Sequence, residues 1–317
     1  MAMGTRIDVS VMSDSAEHAA LATREVERSM LRWSKDWYPW GTLPGELKQL
    51  NAAFASGKAM RVSPELRDLL IVSKRLSDTS DGYFDPAIAP MVKAWGFDDM
   101  NHPRTDLPQE QLLVAWACSH PSIHDVIIEA TQVSSKRSDV QLDLGAIAKG
   151  YALDLSLDLL KQRGITDAAI NIGGQLRAVG AMGEPLRPVQ IRDPRLNASL
   201  ASLVLKTGES ISTSGDYERY VIINGQPIHH LLDPHSGRPV AATQMVTVVA
   251  DSATLADAAS TAIMAAGSDW QRIAKELGIA QVVRIDSTGK IEVTAALYPR
   301  LHWRPTALQT HQLVQVK

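Results

Sequence analysis

Apolar and polar positions change rhythm along this chain, and each change marks an element. Ile7-Asp8-Val9-Ser10-Val11 alternates with the period of a strand covered on one face. Apolar residues among charges from Ala16 to Leu31 then predict an amphipathic helix. The tryptophan-rich stretch Trp33-Ser34-Lys35-Asp36-Trp37-Tyr38-Pro39-Trp40-Gly41 follows, with Pro39 and Gly41 stopping regular structure. Ser63-Pro64-Glu65 reads as an N-cap with proline at the first helical position, opening a helix to about Ser77. Gly82-Tyr83-Phe84-Asp85-Pro86 breaks the chain again, before a helix over 88–94 that ends near Gly96.

Beyond this point strands and helices alternate. Strands are expected near 126–128, 140–142, 168–172, 189–191, 203–205, 220–223 and 246–249, and helices over 146–162, 256–265 and 270–277. Ser287-Thr288-Gly289-Lys290 turns a terminal hairpin of 282–285 with 291–293. No long low-complexity linker or repeat divides the chain. The expectation is a single α+β domain over 1–317, with mixed and antiparallel sheets flanked by helices, a core at 3–303 and a C-terminal tail at 304–317.

Composition narrows what such a domain does. At 317 residues it can bury a substantial core without staples. Its 32 basic and 35 acidic residues give a net charge of -3, which argues against nucleic acid held on a basic face. Cys118 is the only cysteine, so no internal disulfide forms and zinc sites of paired cysteines are excluded; a buried, inert thiol is expected. No apolar run approaches the roughly 18 residues of a membrane span. A strand that begins almost at Met1 fits a chain from which a signal segment was removed, and a natural cytosolic start is the other reading.

Candidate chemistry gathers in four places. Asp143-Leu144-Gly145-Ala146-Ile147-Ala148-Lys149-Gly150-Tyr151 puts a carboxylate, a small-residue turn and a lysine at the entry of a helix. A helix start offers free N–H groups to an anion, although the spacing is not that of a P-loop. Asn171-Ile172-Gly173-Gly174 ends an apolar strand in two glycines, permitting close approach of another backbone or a ligand, or making a simple tight turn. Ser212-Thr213-Ser214-Gly215-Asp216-Tyr217 is followed by residues 228–239, where His230 either faces a pocket or is an ordinary hydrogen-bonding residue, with His229 beside it. Asp257 and Thr261 lie one helical turn apart on one face. They make two oxygen ligands for a hard cation such as Mg²⁺, or an N-cap aspartate and a back-bonded threonine.

Taken in order, Met3-Gly4-Thr5, Leu50-Asn51, Gly82-Tyr83-Phe84-Asp85-Pro86, Trp95-Gly96-Phe97, residues 143–150, residues 171–174, Thr213-Ser214-Gly215-Asp216-Tyr217, residues 230–239 and Ala256-Asp257 through Thr261 resemble the bacterial FAD:protein FMN transferase (ApbE) family over nearly the whole chain. The resemblance implies a T-fold-like domain with FAD in a cleft between its halves. It implies Mg²⁺-dependent transfer of FMN from FAD to a Thr or Ser hydroxyl of an acceptor flavoprotein, with release of AMP. Metal ligands would be the side chains of Asp257 and Thr261 and the carbonyl of Ala146, where relatives often carry glycine. FAD contacts would come from Met3, Trp40, Tyr83, Phe84, Asp85, Asp143, Lys149, His230 and Leu231. Lys149 and Mg²⁺ at Asp257 would neutralise charge on the diphosphate, and His230, rather than a metal-bound Asp257, is the preferred base.

The loop at 37–45 departs from the family's serine- and tyrosine-containing loop, leaving open which residue covers the flavin. The resemblance also implies a periplasmic location, with a removed N-terminal lipid anchor to the inner membrane, and membrane or periplasmic flavoproteins as acceptors. Two alternatives stand beside transfer: an FAD pyrophosphatase giving FMN and AMP, and a non-catalytic FAD carrier or assembly factor.

Overall fold

The computed structural model describes residues 2–180 and 188–316; residues 1, 181–187 and 317 of the expected domain lie outside them. An eight-stranded sheet runs through the molecule in the order Ile7–Val11, Ala168–Ile172, Gln175–Val179, Ser210–Gly215, Thr243–Ala250, Gln281–Asp286, Ile291–Thr294, Leu313–Val316. Successive neighbours are antiparallel except the last pair, which is parallel, so the sheet is mixed and the fold α+β. Three small sheets pair Met60–Arg61, Gln132–Ser135 and Val126–Glu129; Val189–Arg192, Ser199–Leu203 and His302–Trp303; and Tyr220–Ile223 with Gln226–His229.

Thr243–Ala250 explains why its sequence shows an apolar run instead of strand alternation. Every residue is buried, with Val246 and Val248 in the core beneath the helices and Met245 and Val249 in a second core on the opposite face. A strand covered on both faces needs no polar side. In the helix Ala16–Asp36, by contrast, Ala22, Val26, Met30 and Trp33 form one buried stripe behind the Ser15 N-cap, as the periodicity predicts. Ser63 likewise caps Pro64–Thr79 through its hydroxyl.

Four expectations change. Residues 140–142 form no strand; instead Asn51, buried in the helix Glu46–Ala55, donates from Nδ2 to the Leu142 carbonyl at 2.9 Å and accepts from the Leu142 N–H at 2.8 Å. A side-chain amide thus replaces the strand partner that this extended segment lacks. The strand expected at 203–205 is Ser199–Leu203. Residues 304–316, expected as a tail, supply the helix Pro305–Thr310 and the edge strand Leu313–Val316. Cys118 is exposed, because the helix Glu110–Cys118 buries Leu113 and Trp116 and the thiol sits about 200° round from Trp116.

Replacing Asn51 with Ala leaves the Leu142 N–H and C=O without partners in the core. The expected cost is about 2 kcal/mol, read as a lower urea midpoint at unchanged slope. An unshifted midpoint would refute the bridging role.

Candidate active site

Two helices cross at the centre of the site, and each one's carboxylate serves the other's start. The lysine helix, Ala148–Gln162, carries Asp154, whose oxygens accept from the N–H groups of Ala253 and Thr254 and from the hydroxyls of Ser252 and Thr254 at 2.7–3.0 Å. The aspartate helix, Ala253–Ala265, carries Asp257, whose Oδ2 accepts from the Gly150 N–H at 3.0 Å. Both carboxylates therefore satisfy amides that a helix start leaves without intrahelical acceptors. Contact this close requires glycine at 150, since an added Cβ would lie 2.1 Å from the Ala253 carbonyl oxygen and 2.8 Å from the Asp257 Cβ.

This arrangement takes up part of the turn that was expected to offer amides to an anion. The amides of Gly145, Ile147, Ala148 and Gly150 already donate to Asp143, Leu144, Leu144 and Asp257 respectively. It also sets aside the N-cap reading of Asp257, because Ser252 caps the aspartate helix and Asp257 lies inside it.

Asp257 is 3% exposed. Its Oδ1 accepts from the Gln175 amide nitrogen, and the Lys149 ammonium stands 3.7 Å away. Lys149 also donates to the Gly145 carbonyl at 3.2 Å, which ties the turn bearing Ala146 to the aspartate. One turn along the aspartate helix, Thr261 Oγ1 lies 3.2 Å from Ser214 Oγ, and Ser214 meets Ser260 at 2.8 Å. Gln175 Oε1 is buried without a partner among the described residues. A buried carboxylate, several hydroxyls and an unpaired amide oxygen form a donor set suited to a hard divalent cation. No group of three or more His, Cys, Asp or Glu side chains able to hold a metal occurs among the described residues. A cation here would need further oxygens from water or a bound ligand.

On the other side of the turn, Trp40 Nε1 donates to Asp143 Oδ2 at 2.7 Å, joining the tryptophan loop to the segment that leads into the lysine helix. The three tryptophans there have different roles. Trp33 and Trp37 stack in the core at 5.3 Å, whereas Trp40 is partly exposed beside Asp143. Met3 has φ +53° in the turn before the first strand, and its N–H donates to Ser34 Oγ at 2.7 Å. That backbone is costly for a non-glycine residue and holds Met3 near the end of the helix that leads into Trp40. The Gly173-Gly174 turn lies alongside, its register fixed by Ile172 opposite Gln175, and a Cβ on Gly173 would meet Thr5 Oγ1 at 2.7 Å. Here the tight-turn reading applies, and the group that comes close is the Thr5 side chain.

Phe84 and Asp85 are buried and turned to structural use. Asp85 accepts from the N–H groups of Ala87 and Ile123 and from the Ser122 hydroxyl. Tyr83 is half-buried and packs edge-on against His235 at 4.7 Å. The 233–239 loop that carries His235 is held by two indoles, with Trp95 donating to the Gly237 carbonyl and Trp116 to the Pro234 carbonyl.

The two adjacent histidines also separate. His229 is structural, with Nε2 against the Val240 carbonyl at 2.7 Å and Nδ1 accepting from the Leu231 N–H. His230 places Nδ1 3.0 Å from the Arg219 carbonyl. A carbonyl only accepts, so Nδ1 carries the proton and Nε2 keeps its lone pair. Burial, then the charges of Arg219 and Lys149, push the His230 pKa down to about 3. Leu231 beside it is buried.

The depressed His230 value has a stability consequence. A histidine held neutral in the fold but titrating normally when unfolded stabilises the protein above pH 6.5, and that stability is lost as pH falls toward 3. At pH 5 the expected loss is about 2 kcal/mol. Replacing His230 with Gln should flatten the acid limb of denaturation midpoint against pH by that amount, and parallel limbs for the two proteins would contradict the assignment.

Gln175 and Asp154 escaped sequence reading, whereas Ser214 and Ser260 lie in segments singled out there but were given no role of their own. Gln175 follows the glycine pair, and only this adjacency could have drawn attention to it.

The ApbE family model matches residues 3–283. Over 299 residues, 94% of this chain, the sequence is 38% identical to an FAD:protein FMN transferase of Rhodobacter capsulatus, and the chain spans 57% of that relative's length. An FAD:protein FMN transferase of Klebsiella pneumoniae (strain 342) is 31% identical over 88% of this chain and 81% of its own. The crystal structure of the ApbE protein of Thermotoga maritima superposes with a TM-score of 0.84 at 27% identity, covering 95% of this chain and 97% of that one.

Proposed function

The chain belongs to the ApbE family, and on that premise we propose that it transfers the FMN half of FAD to a Thr or Ser hydroxyl of another protein. Relatives bearing the name FAD:protein FMN transferase support the activity. The observation that carries the reading is the buried Asp257 facing Lys149 at 3.7 Å, with Thr261 one turn along the same helix.

In this reading, Asp257, Thr261 and the Ala146 carbonyl hold Mg²⁺, which when bound neutralises charge on the diphosphate. Lys149 adds an ammonium to the same oxygens. The acceptor hydroxyl oxygen bonds to the phosphorus on the riboflavin side, and the bond from that phosphorus to the bridging oxygen breaks. AMP leaves with the bridging oxygen. The hydroxyl proton passes to the lone pair that His230 Nε2 keeps. Met3, Trp40, Tyr83, Asp143 and Leu231 contact the dinucleotide. Phe84 and Asp85 act from behind, by shaping the Tyr83 segment.

We place the protein in the periplasm, anchored by an N-terminal lipid, with membrane or periplasmic flavoproteins as acceptors. The test is to incubate the protein with FAD, Mg²⁺ and an acceptor domain bearing a Thr/Ser flavinylation site, then weigh the acceptor. A gain equal to one FMN less water, with AMP in solution, is expected. Free FMN and AMP beside an unmodified acceptor would make it an FAD pyrophosphatase, and intact FAD would make it a carrier.

A further inference from the structure

We infer that Gln175 is a positioning residue for the cation site, holding Asp257 with one end of its amide and a cation's water with the other. The inference rests on the metal reading above, and the observations behind it concern Gln175 itself. Its side chain is 4% exposed, at the start of the strand Gln175–Val179. The Nε2 atom donates to Ser212 Oγ at 3.1 Å and to Asp257 Oδ1. Asp257 Oδ2 is fixed separately by the Gly150 N–H, so the carboxylate is gripped at both oxygens and its plane is set before any cation arrives.

The amide cannot be turned round. Exchange of its ends would press Oε1 against a carboxylate oxygen and leave the NH₂ without an acceptor among these partners. In the orientation that remains, Oε1 is buried with no donor among the described residues. An orphaned acceptor of this kind is destabilising unless something satisfies it. It lies on the same side chain that grips Asp257, and water on a hydrated Mg²⁺ is a strong donor at that place, since this ion keeps several of its waters when bound by one or two carboxylates. Outer partners of this type orient the ligand and tune affinity. Lys149 does not supply the missing donor: its ammonium contacts the Gly145 carbonyl and Asp257, and no hydrogen bond reaches Oε1 among the described residues.

The test titrates Mn²⁺ into FAD-loaded protein and follows free Mn²⁺ by electron paramagnetic resonance, with metal-free FAD affinity and thermal midpoint as controls. Gln175→Met, which fills the same space without polar atoms, is expected to weaken Mn²⁺ binding about 10–100-fold while metal-free FAD affinity stays within twofold. Gln175→Asn withdraws the amide from Asp257 without adding an apolar atom and should move Mn²⁺ affinity in the same direction, which decides the matter if the Met variant does not fold. Asp257→Asn is run alongside. If Asp257→Asn loses Mn²⁺ and the Gln175 variants stay within twofold of wild type, the inference falls and the metal reading survives. Unchanged Mn²⁺ binding in Asp257→Asn would overturn both.

Discussion

Asp257→Asn should abolish FMN transfer, lowering the rate at least about 10³-fold, while the protein remains folded and binds FAD. The size follows from the charge removed. A cation at a diphosphate contributes several kcal/mol to the transition state, and about 4 kcal/mol corresponds to a thousandfold. The fold survives because asparagine keeps an oxygen for the Gly150 N–H that Asp257 now satisfies. Its new NH₂ then faces Gln175, whose amide turns over to present the oxygen that had no partner. The net cost is expected near 1 kcal/mol. The decisive measurement is intact mass of an acceptor after single turnover, beside thermal denaturation. Transfer within tenfold of wild type would remove Asp257 from the metal site, and a collapsed melting temperature would show that its main role is to hold the helices together.

Gly150→Ala should destabilise the protein by on the order of 4 kcal/mol and take activity with it, the reverse of what local propensity says. In an isolated helix the substitution gains about 1 kcal/mol, because alanine is the better helix former. Here the added methyl would stand 2.1 Å from the Ala253 carbonyl oxygen and 2.6 Å from its carbonyl carbon, both backbone atoms of the opposing helix. A side chain could swing aside, but a helix backbone must translate. That movement parts the Gly150 N–H from Asp257 and the Ala253 and Thr254 amides from Asp154, so both reciprocal caps weaken together. Overpacking commonly costs 1–3 kcal/mol, and the coupled hydrogen bonds carry the figure beyond that range. Chemical denaturation measures it directly. A variant as stable as wild type would mean that the two helices are free to separate, and the reciprocal capping would lose its importance.

Much of this protein is legible in order. The helix behind Ser15, the cap at Ser63 and the hairpin of Gln281–Asp286 with Ile291–Thr294 follow from local spacing. So does the placing of Asp257 and Thr261 on one face, because a helix repeats every 3.6 residues wherever it sits. Errors cluster where a distant partner decides. Residues 140–142 look like a strand and lie extended, but Asn51, 91 positions earlier, supplies their hydrogen bonds. Residues 304–316 read as a tail because a short edge strand such as Leu313–Val316 carries little signal without the neighbour it pairs with.

The sequence by itself determined the order of elements, the apolar faces and the chemical groups available, since periodicity, caps and turn residues act over a few positions. Tertiary structure alone decided what those groups do. Gly150 and Asp257 are 107 residues apart, and only the crossing of their helices makes one a necessary glycine and the other a carboxylate fixed from two sides. The same crossing brings Lys149 to the aspartate, and the sheet brings Gln175. Residue spacing carries no record of such meetings, because they arise from the packing of whole faces, where one close approach sets the geometry of everything around it.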